Sequence, residues 1–311
     1  MKVAVIGAKG FIGSHLTKKL IQTPGVELLL FGKSTSSVFE KQLSYKQIDL
    51  SDEKQNSRDF QGVELVYYLA SESIPATSWQ NPLIEIEKNL IPFLKFGETV
   101  SKLGVKKIAF LSSAGTIYGA TTNKVTEDSD KHPFSPYGIT KLTMENFLNY
   151  FKVKYGVSYD IYRVSNAYGE GQDTSKGLGL INTLLEKIII ENRITIFGDG
   201  QNLRNYIYVK DLAHLVSLSA VSDLSRSGIY NVSSNDTLTI NQIVEVLKKT
   251  VNKNFEVIYE EKRQSDNAAI DLDNSKILKE FPDFKFTSIT DGISETYNAI
   301  KNKLNIHEEK K

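Results

Sequence analysis

None of the 311 residues is cysteine, which excludes disulfides, thiolate catalysis and thiolate-held metal, and fits a reducing compartment. Histidine is nearly as scarce. His15, His132, His214 and His307 lie far apart and offer no ligand spacing, so no metal site is expected. No apolar run reaches the roughly 20 residues of a membrane span, and Met1–Gly7 is too short and too glycine-broken for a signal peptide. Charge of one sign is also lacking. The formal net charge is +1, so nothing global points to nucleic acid or an acidic membrane surface. The expectation is a soluble, cytoplasmic protein with neither nucleic acid nor membrane as partner.

The first half alternates β-branched apolar runs with helical segments. Lys2–Ile6, Glu27–Phe31, Leu65–Ala70, Lys107–Leu111 and Asp160–Val164 are mostly apolar, as buried parallel strands are. Phe11–Leu20, Pro82–Leu103 and Tyr137–Tyr155 between them carry helical periodicity. Repeated strand–helix–strand order predicts an α/β fold, a doubly wound parallel sheet of Rossmann type. The length exceeds one ordinary domain. Residues 1–165 read as the sheet domain, with part of 206–232 returning to it. Residues 166–311 read mainly as a smaller C-terminal α/β lobe.

Gly7-Ala-Lys-Gly10-Phe-Ile-Gly13 follows the first strand and opens the first helix. Glycines there allow a tight turn and a close backbone approach to a pyrophosphate, whose charge the helix N-terminus holds. The first two glycines are separated by two residues, where the dinucleotide fingerprint has one. Tyr137 and Lys141 sit four residues apart where a helix should begin, so they share a face. An ammonium beside a phenol favours the phenolate and lowers its pKa from about 10 toward the range of an acid/base catalyst. The same spacing recurs at Tyr150/Lys154, Tyr206/Lys210 and Tyr297/Lys301, so spacing alone does not single out Tyr137. Tyr150/Lys154 reads as the exposed rim of the same helix, the other two as ordinary strand and helix surface.

The company of Tyr137 does single it out. Gly7, Gly10 and Gly13 are followed by Asp49-Leu50, Leu69-Ala-Ser71 and Ser112-Ser-Ala-Gly-Thr-Ile-Tyr-Gly119. Then come Tyr137/Lys141, Arg163-Val-Ser-Asn166 with Tyr168-Gly169, Gly198-Asp-Gly200, Arg204–Asp211, and Arg263 with Asp266. In this order the motifs resemble the extended short-chain dehydrogenase/reductases, the NAD(P)-dependent nucleotide-sugar epimerase/dehydratase/reductase family, over nearly the whole length. The resemblance implies a cofactor site at Gly7, Gly10, Phe11, Ile12, Gly13, Asp49, Leu50, Leu69, Ala70 and Ser112, with Tyr137 and Lys141. Lys141 would bond the nicotinamide ribose, and Tyr137 would exchange a proton with the sugar C4 oxygen. Asn166 would orient a sugar or phosphate oxygen, Arg204 and Arg263 would neutralise the diphosphate of a nucleotide sugar, and Asp266 would hold its ribose. The resemblance also implies a homodimer, formed by the helices Pro82–Leu103 and Tyr137–Tyr155.

Three departures from the family pattern shape the expected function. The serine or threonine that assists the tyrosine falls on Ala114, leaving Thr116 first and Ser113 second to take its role. No Asp-Glu pair stands at Gly115-Thr116, which argues against dehydration. The acidic residue expected after the second strand is missing. Gly32-Lys33-Ser34 stands there, with Lys9 nearby, so a 2′-phosphate is welcome and NADP(H) is expected ahead of NAD(H). The Asn-Leu pair that holds uracil in many members is absent, leaving the base open. The favoured activity is reduction of a nucleotide-diphospho-4-keto-6-deoxyhexose by NADPH, for surface polysaccharide such as O-antigen or capsule. The alternative is an NAD-dependent UDP-hexose 4-epimerase. A non-catalytic dinucleotide-binding relative is disfavoured by the intact Tyr137, Lys141 and Asn166.

Overall fold

The apolar runs become strands because their β-branched and aromatic side chains suit a sheet covered on both faces. A computed structural model describes residues 1–35, 43–119, 121, 124–251, 253–261 and 270–308. The chain opens with β1 (Lys2–Ile6), α1 (Phe11–Ile21), β2 (Glu27–Gly32), β3 (Ser44–Gln47), α2 (Glu53–Asp59), β4 (Leu65–Tyr68) and α3 (Pro75–Gln80). A π-helical turn at Glu85–Leu90 leads into α4 (Ile91–Lys102), then β5 (Lys107–Ser113), α5 (Ala114–Ile117), β6 (Lys124–Val125), α6 (Pro136–Tyr155) and β7 (Ser158–Val164). Next are β8 (Asn166–Tyr168), α7 (Leu180–Glu191), β9 (Arg193–Phe197), β10 (Leu203–Tyr208), α8 (Val209–Ser222) and β11 (Gly228–Val232). The chain ends with β12 (Thr237–Thr239), α9 (Ile240–Thr250), β13 (Glu256–Glu260), β14 (Asp271–Leu272), α10 (Ser275–Glu280) and α11 (Ile289–Glu308).

Two compact units result. The first holds Met1–Tyr118, Asp130–Val164 and Ala213–Asn231. The second holds Gly119–Ser129, Ser165–Leu212 and the chain from Val232 onward. The segment that rejoins the first unit therefore starts at Ala213, and the loop 119–129 belongs to the second.

In the seven-stranded sheet the order is β11-β7-β5-β4-β1-β2-β3, and the pairs β1–β2, β1–β4, β2–β3, β4–β5 and β5–β7 are all parallel. The chain runs outward from β1 to β3, then returns to place β4 on the other side of β1. This is the topological switch point of a doubly wound sheet, where ligands bind beyond the strands' carboxyl ends. Beneath that edge, Phe31 stacks on Phe60 with ring centroids 4.6 Å apart, and Phe60 meets Phe96 edge-on at 4.9 Å. Tyr68, Phe93 and Phe110 extend the same core, which locks β4 and β5 against α4 and α6.

The helix expected over Pro82–Leu103 is interrupted. Pro92 lies in the first turn of α4 and has no N–H to offer the carbonyl of Lys88, and the wider π turn Glu85–Leu90 absorbs the break. α6 starts as expected. Ser135 caps it by accepting from the Gly138 N–H at 3.1 Å, and Pro136 preorganises the first turn. The second unit has a three-stranded sheet ordered β12-β10-β8 and the parallel pairs β9–β13 and β6–β14.

Candidate active site

The turn after β1 is a bare backbone cradle. Gly7 has φ +84°, and a Cβ on Gly13 would lie 2.1 Å from the Gly7 carbonyl oxygen, so neither position tolerates a side chain. The first hydrogen bond of α1 runs from the Ser14 N–H to the Gly10 carbonyl at 2.9 Å. The N–H groups of Phe11, Ile12 and Gly13 precede it and have no acceptor within the helix. No acidic residue occupies the first turn and no side chain caps it. Such a turn suits the diphosphate of a dinucleotide. Gly7 also lies against the backbone of Leu69 and Ala70, so the end of β4 flanks the cradle.

Tyr137 and Lys141 stand one turn apart at the start of α6. Lys141 is buried, donates to the Leu111 carbonyl at 3.1 Å, and lies 4.8 Å from the Phe110 ring centroid and 5.5 Å from that of Tyr137. Burial pulls the Lys141 ammonium down to about 8, against the opposing charges of Glu85 and Glu145. The phenol departs from expectation. Burial pushes Tyr137 up to about 12, helped by the Glu85 carboxylate, while a hydrogen bond from Ser71 works in the other direction. Desolvation of the phenolate dominates, so the protein alone keeps Tyr137 protonated.

The hydroxyls after β5 divide by strand parity. Ser112 donates to Glu145 on α6 at 2.6 Å, so its face of the sheet is the one α6 covers. Ser113 follows in extended conformation and points to the opposite face. Thr116, expected first as the partner of Tyr137, is buried, and its hydroxyl bonds the Ser113 carbonyl at 3.5 Å. Beside Ser112 in register stands Arg163. Its guanidinium grips Glu145 (2.7 Å from Nη2) and the Tyr118 hydroxyl (2.8 Å from Nη1), and Tyr118 donates to Asn231 at 2.6 Å. Ser112, Tyr118 and Arg163 of the sequence motifs thus form a buried structural knot.

At the end of β2, Lys33 is ion-paired with Glu72, which follows β4. Sequence reading missed this partner, 39 residues away. Lys9 donates to the Ser34 hydroxyl at 2.7 Å and lies 4.3 Å from the Tyr45 ring centroid. Exposed Asp49 accepts from the Ser51 N–H at 2.9 Å, and half-buried Leu50 packs against the main core.

Two further residues escaped the sequence reading. Glu85 is 2% exposed and Asn89 is also buried. Asn89 donates to Glu85 and to the Ser73 hydroxyl, and accepts from the Glu72 N–H at 2.8 Å. A polar pair four residues apart in an apolar segment was the available signal.

In the second unit, exposed Asn166 opens β8 and donates to the Asn205 carbonyl at 2.9 Å. It pairs in register with Tyr206 on β10, and Arg204 lies two residues earlier on the same strand. Arg263 and Asp266 lie outside the described residues. Of the other Tyr/Lys pairs, Tyr150 and Lys154 bond at 2.8 Å on the exposed rim of α6. Tyr206 is buried rather than surface, because β10 is the middle strand of its sheet. Among the described residues no cluster of metal-ligating side chains occurs, and no helix is long and apolar enough to cross a membrane.

Known proteins share both the sequence and the fold. A putative UDP-glucose 4-epimerase of Methanocaldococcus jannaschii is 29% identical over 306 residues, covering 96% of this chain and 98% of its own. The dTDP-4-dehydro-6-deoxyglucose reductase of Escherichia coli is 25% identical over 308 residues, with 96% and 97% covered. The crystal structure of Thermotoga maritima UDP-glucose 4-epimerase with UDP-glucose superposes with a TM-score of 0.90 at 30% identity, covering 98% of this chain and all of that one. The Thermus thermophilus UDP-glucose 4-epimerase, in complex with NAD, gives 0.86 at 26% identity, covering 97% and 99%. Residues 3–233, which run from the first strand past Tyr137 and Lys141, match one family model, and this chain belongs to the NAD dependent epimerase/dehydratase family.

Proposed function

We propose that the chain is a nucleotide-sugar 4-epimerase working with NAD(H). The Tyr137/Lys141 pair carries this reading, one turn apart at the head of α6, with Lys141 buried and bonded to the end of β5. A bound nicotinamide supplies the acceptor and donor of the C4 hydride. Tyr137, protonated at neutral pH, gives its proton to the C4 oxygen when a 4-keto group is reduced. When a C4 hydroxyl is oxidised, its phenolate takes the proton, and the ammonium of Lys141 stabilises that phenolate. Epimerisation needs both directions within one turnover. Asn166, Arg204 and Arg263 are assigned to the nucleotide sugar and its diphosphate, and Asp266 to its ribose. Relatives of similar coverage named as UDP-glucose 4-epimerases support the choice.

The Lys33–Glu72 ion pair supports NAD(H) over the NADP(H) expected from sequence. With its charge compensated, Lys33 is a poor ligand for a 2′-phosphate, and the Glu72 carboxylate beside it repels one. The NADPH-dependent 4-keto reductase stays as the second reading because Lys9, at Ser34 and Tyr45, leaves a positive charge by the same strand end. To separate the two, the purified protein is supplied with UDP-glucose, and separately with dTDP-4-keto-6-deoxyglucose plus NADPH. Interconversion of UDP-glucose and UDP-galactose without net nicotinamide oxidation is expected. Stoichiometric loss of NADPH absorbance with the keto sugar, and no interconversion, establishes the reductase instead.

We also assign the family's homodimer to the α4/α6 side. Trp79, Leu83, Ile86, Phe134, Ile139 and Val153 are exposed on α3, the π turn, α6 and the loops beside them, with Leu83 65% and Val153 79% exposed. So many large apolar side chains in one region mark an interaction surface.

A further inference from the structure

Where a Rossmann sheet ends its second strand in a carboxylate for the ribose 2′-hydroxyl of NAD, this chain has Gly32. The backbone does not demand that glycine, because Gly32 has no positive φ. The demand comes from β3. A Cβ on Gly32 would lie 2.5 Å from the Tyr45 hydroxyl oxygen, which therefore stands in the room that a side chain at position 32 would enter. The end of β2 is tied to the glycine turn, since the N–H groups of Gly7 and Ala8 donate to the Phe31 carbonyl at 2.9 and 3.1 Å. Lys9 reaches from that turn over the Tyr45 ring, 4.3 Å from its centroid, and donates to the Ser34 hydroxyl at 2.7 Å. The Ser34 and Tyr45 hydroxyls lie 3.4 Å apart. β3 is fixed there by the Ile48 N–H on the Gly32 carbonyl at 3.0 Å and the Gln47 amide on the Lys33 carbonyl at 2.8 Å.

We propose that Tyr45 takes the place of the absent carboxylate and hydrogen-bonds the 2′-hydroxyl of the adenosine ribose of NAD(H). The inference rests on the proposed use of NAD(H) and goes beyond it by naming the group that reads the ribose. A phenol and a ribose hydroxyl can each donate and accept, so the contact needs no charge. The position suits it as well. In the dinucleotide this ribose is joined directly to the diphosphate, and Tyr45 stands one lysine side chain away from the turn that would hold the diphosphate. Glu72, a carboxylate beyond the neighbouring strand β4, is engaged by Lys33. Tyr45 is half-buried, with Lys9 over its face and Ser34 near its hydroxyl, so little side-chain freedom is lost when the ribose binds. Gly32 and Tyr45 thus form one device on two strands. The side chain missing from the first makes room for the hydroxyl of the second.

The test is calorimetric titration of the full-length protein, freed of any nucleotide it retains, with NAD+, its adenosine-2′-deoxy analogue and NADP+. The wild type is expected to bind NAD+ more tightly than the 2′-deoxy analogue by roughly 3- to 10-fold, the effect of one neutral hydrogen bond. Tyr45→Phe removes only the hydroxyl. It should weaken NAD+ by the same factor and leave the 2′-deoxy analogue unchanged, so that the discrimination disappears. Gly32→Asp combined with Tyr45→Ala, which returns a carboxylate to the vacated room, should restore it. Wild-type discrimination in Tyr45→Phe, or equal weakening of both ligands, overturns the proposal, the second outcome making Tyr45 a packing residue. Tighter wild-type binding of NADP+ than of NAD+ overturns the cofactor reading itself, which separates the two failures.

Discussion

Lys141 holds a charge in a place that resists one. Its ammonium is buried between Phe110 and Tyr137 with a single carbonyl for company, and titrates near 8 instead of 10.5. Such a displacement corresponds to about 3 kcal/mol of lost stability while the group is charged. The unfolded chain binds more protons than the folded one between pH 8 and 10.5, so this cost is full below pH 8 and fades as pH rises through that window. Lys141→Met is therefore expected to abolish turnover while raising the melting temperature at pH 7. The advantage should shrink toward pH 10.5, and melts at several pH values check it. The pair itself was legible in the sequence, because spacing along a helix is a local property. Its protonation state was not, because the burial that sets it comes from β5 and the π turn, distant in sequence.

At the scale of elements, β5, β7 and α6 are joined by one buried charge pair. Arg163 and Glu145 have side chains 2% and 3% exposed; Glu145 also accepts from Ser112, and Arg163 also donates to the Tyr118 hydroxyl, which in turn donates to Asn231. Removing one partner strands the other in a dry interior. Arg163→Met should cost about 3–5 kcal/mol, read as a lower urea midpoint, and adding Glu145→Leu should restore most of it. Sequence marked Ser112, Tyr118 and Arg163 as motif residues but could not separate packing from chemistry. The distinction depends on which strand face α6 covers. The interrupted helix before Ile91 was within reach, since Pro92 stood inside the expected span. The π turn that resulted placed Glu85 and Asn89 under the loop of Ser71, which no periodicity announces.

For the whole molecule, the exposed apolar residues around α4 and α6 are expected to be covered by a second copy. Light scattering at micromolar concentration should find a dimer, and Leu83→Glu with Val153→Glu should yield a folded monomer. A monomeric wild type contradicts the assignment.

The doubly wound sheet, the glycine cradle and the Tyr137/Lys141 pair were all written in the chain, because alternation of apolar runs, turn glycines and one helical turn are short-range features. Whether Lys33 stands unpaired and which partners hold the motif residues Ser112 and Arg163 were decided only by tertiary structure. Each of those depends on a partner brought in from another element: Glu72 to Lys33, and Glu145 to Ser112 and Arg163. A side chain's charge and reach belong to its sequence position, whereas its neighbours, and hence its chemistry, belong to the fold.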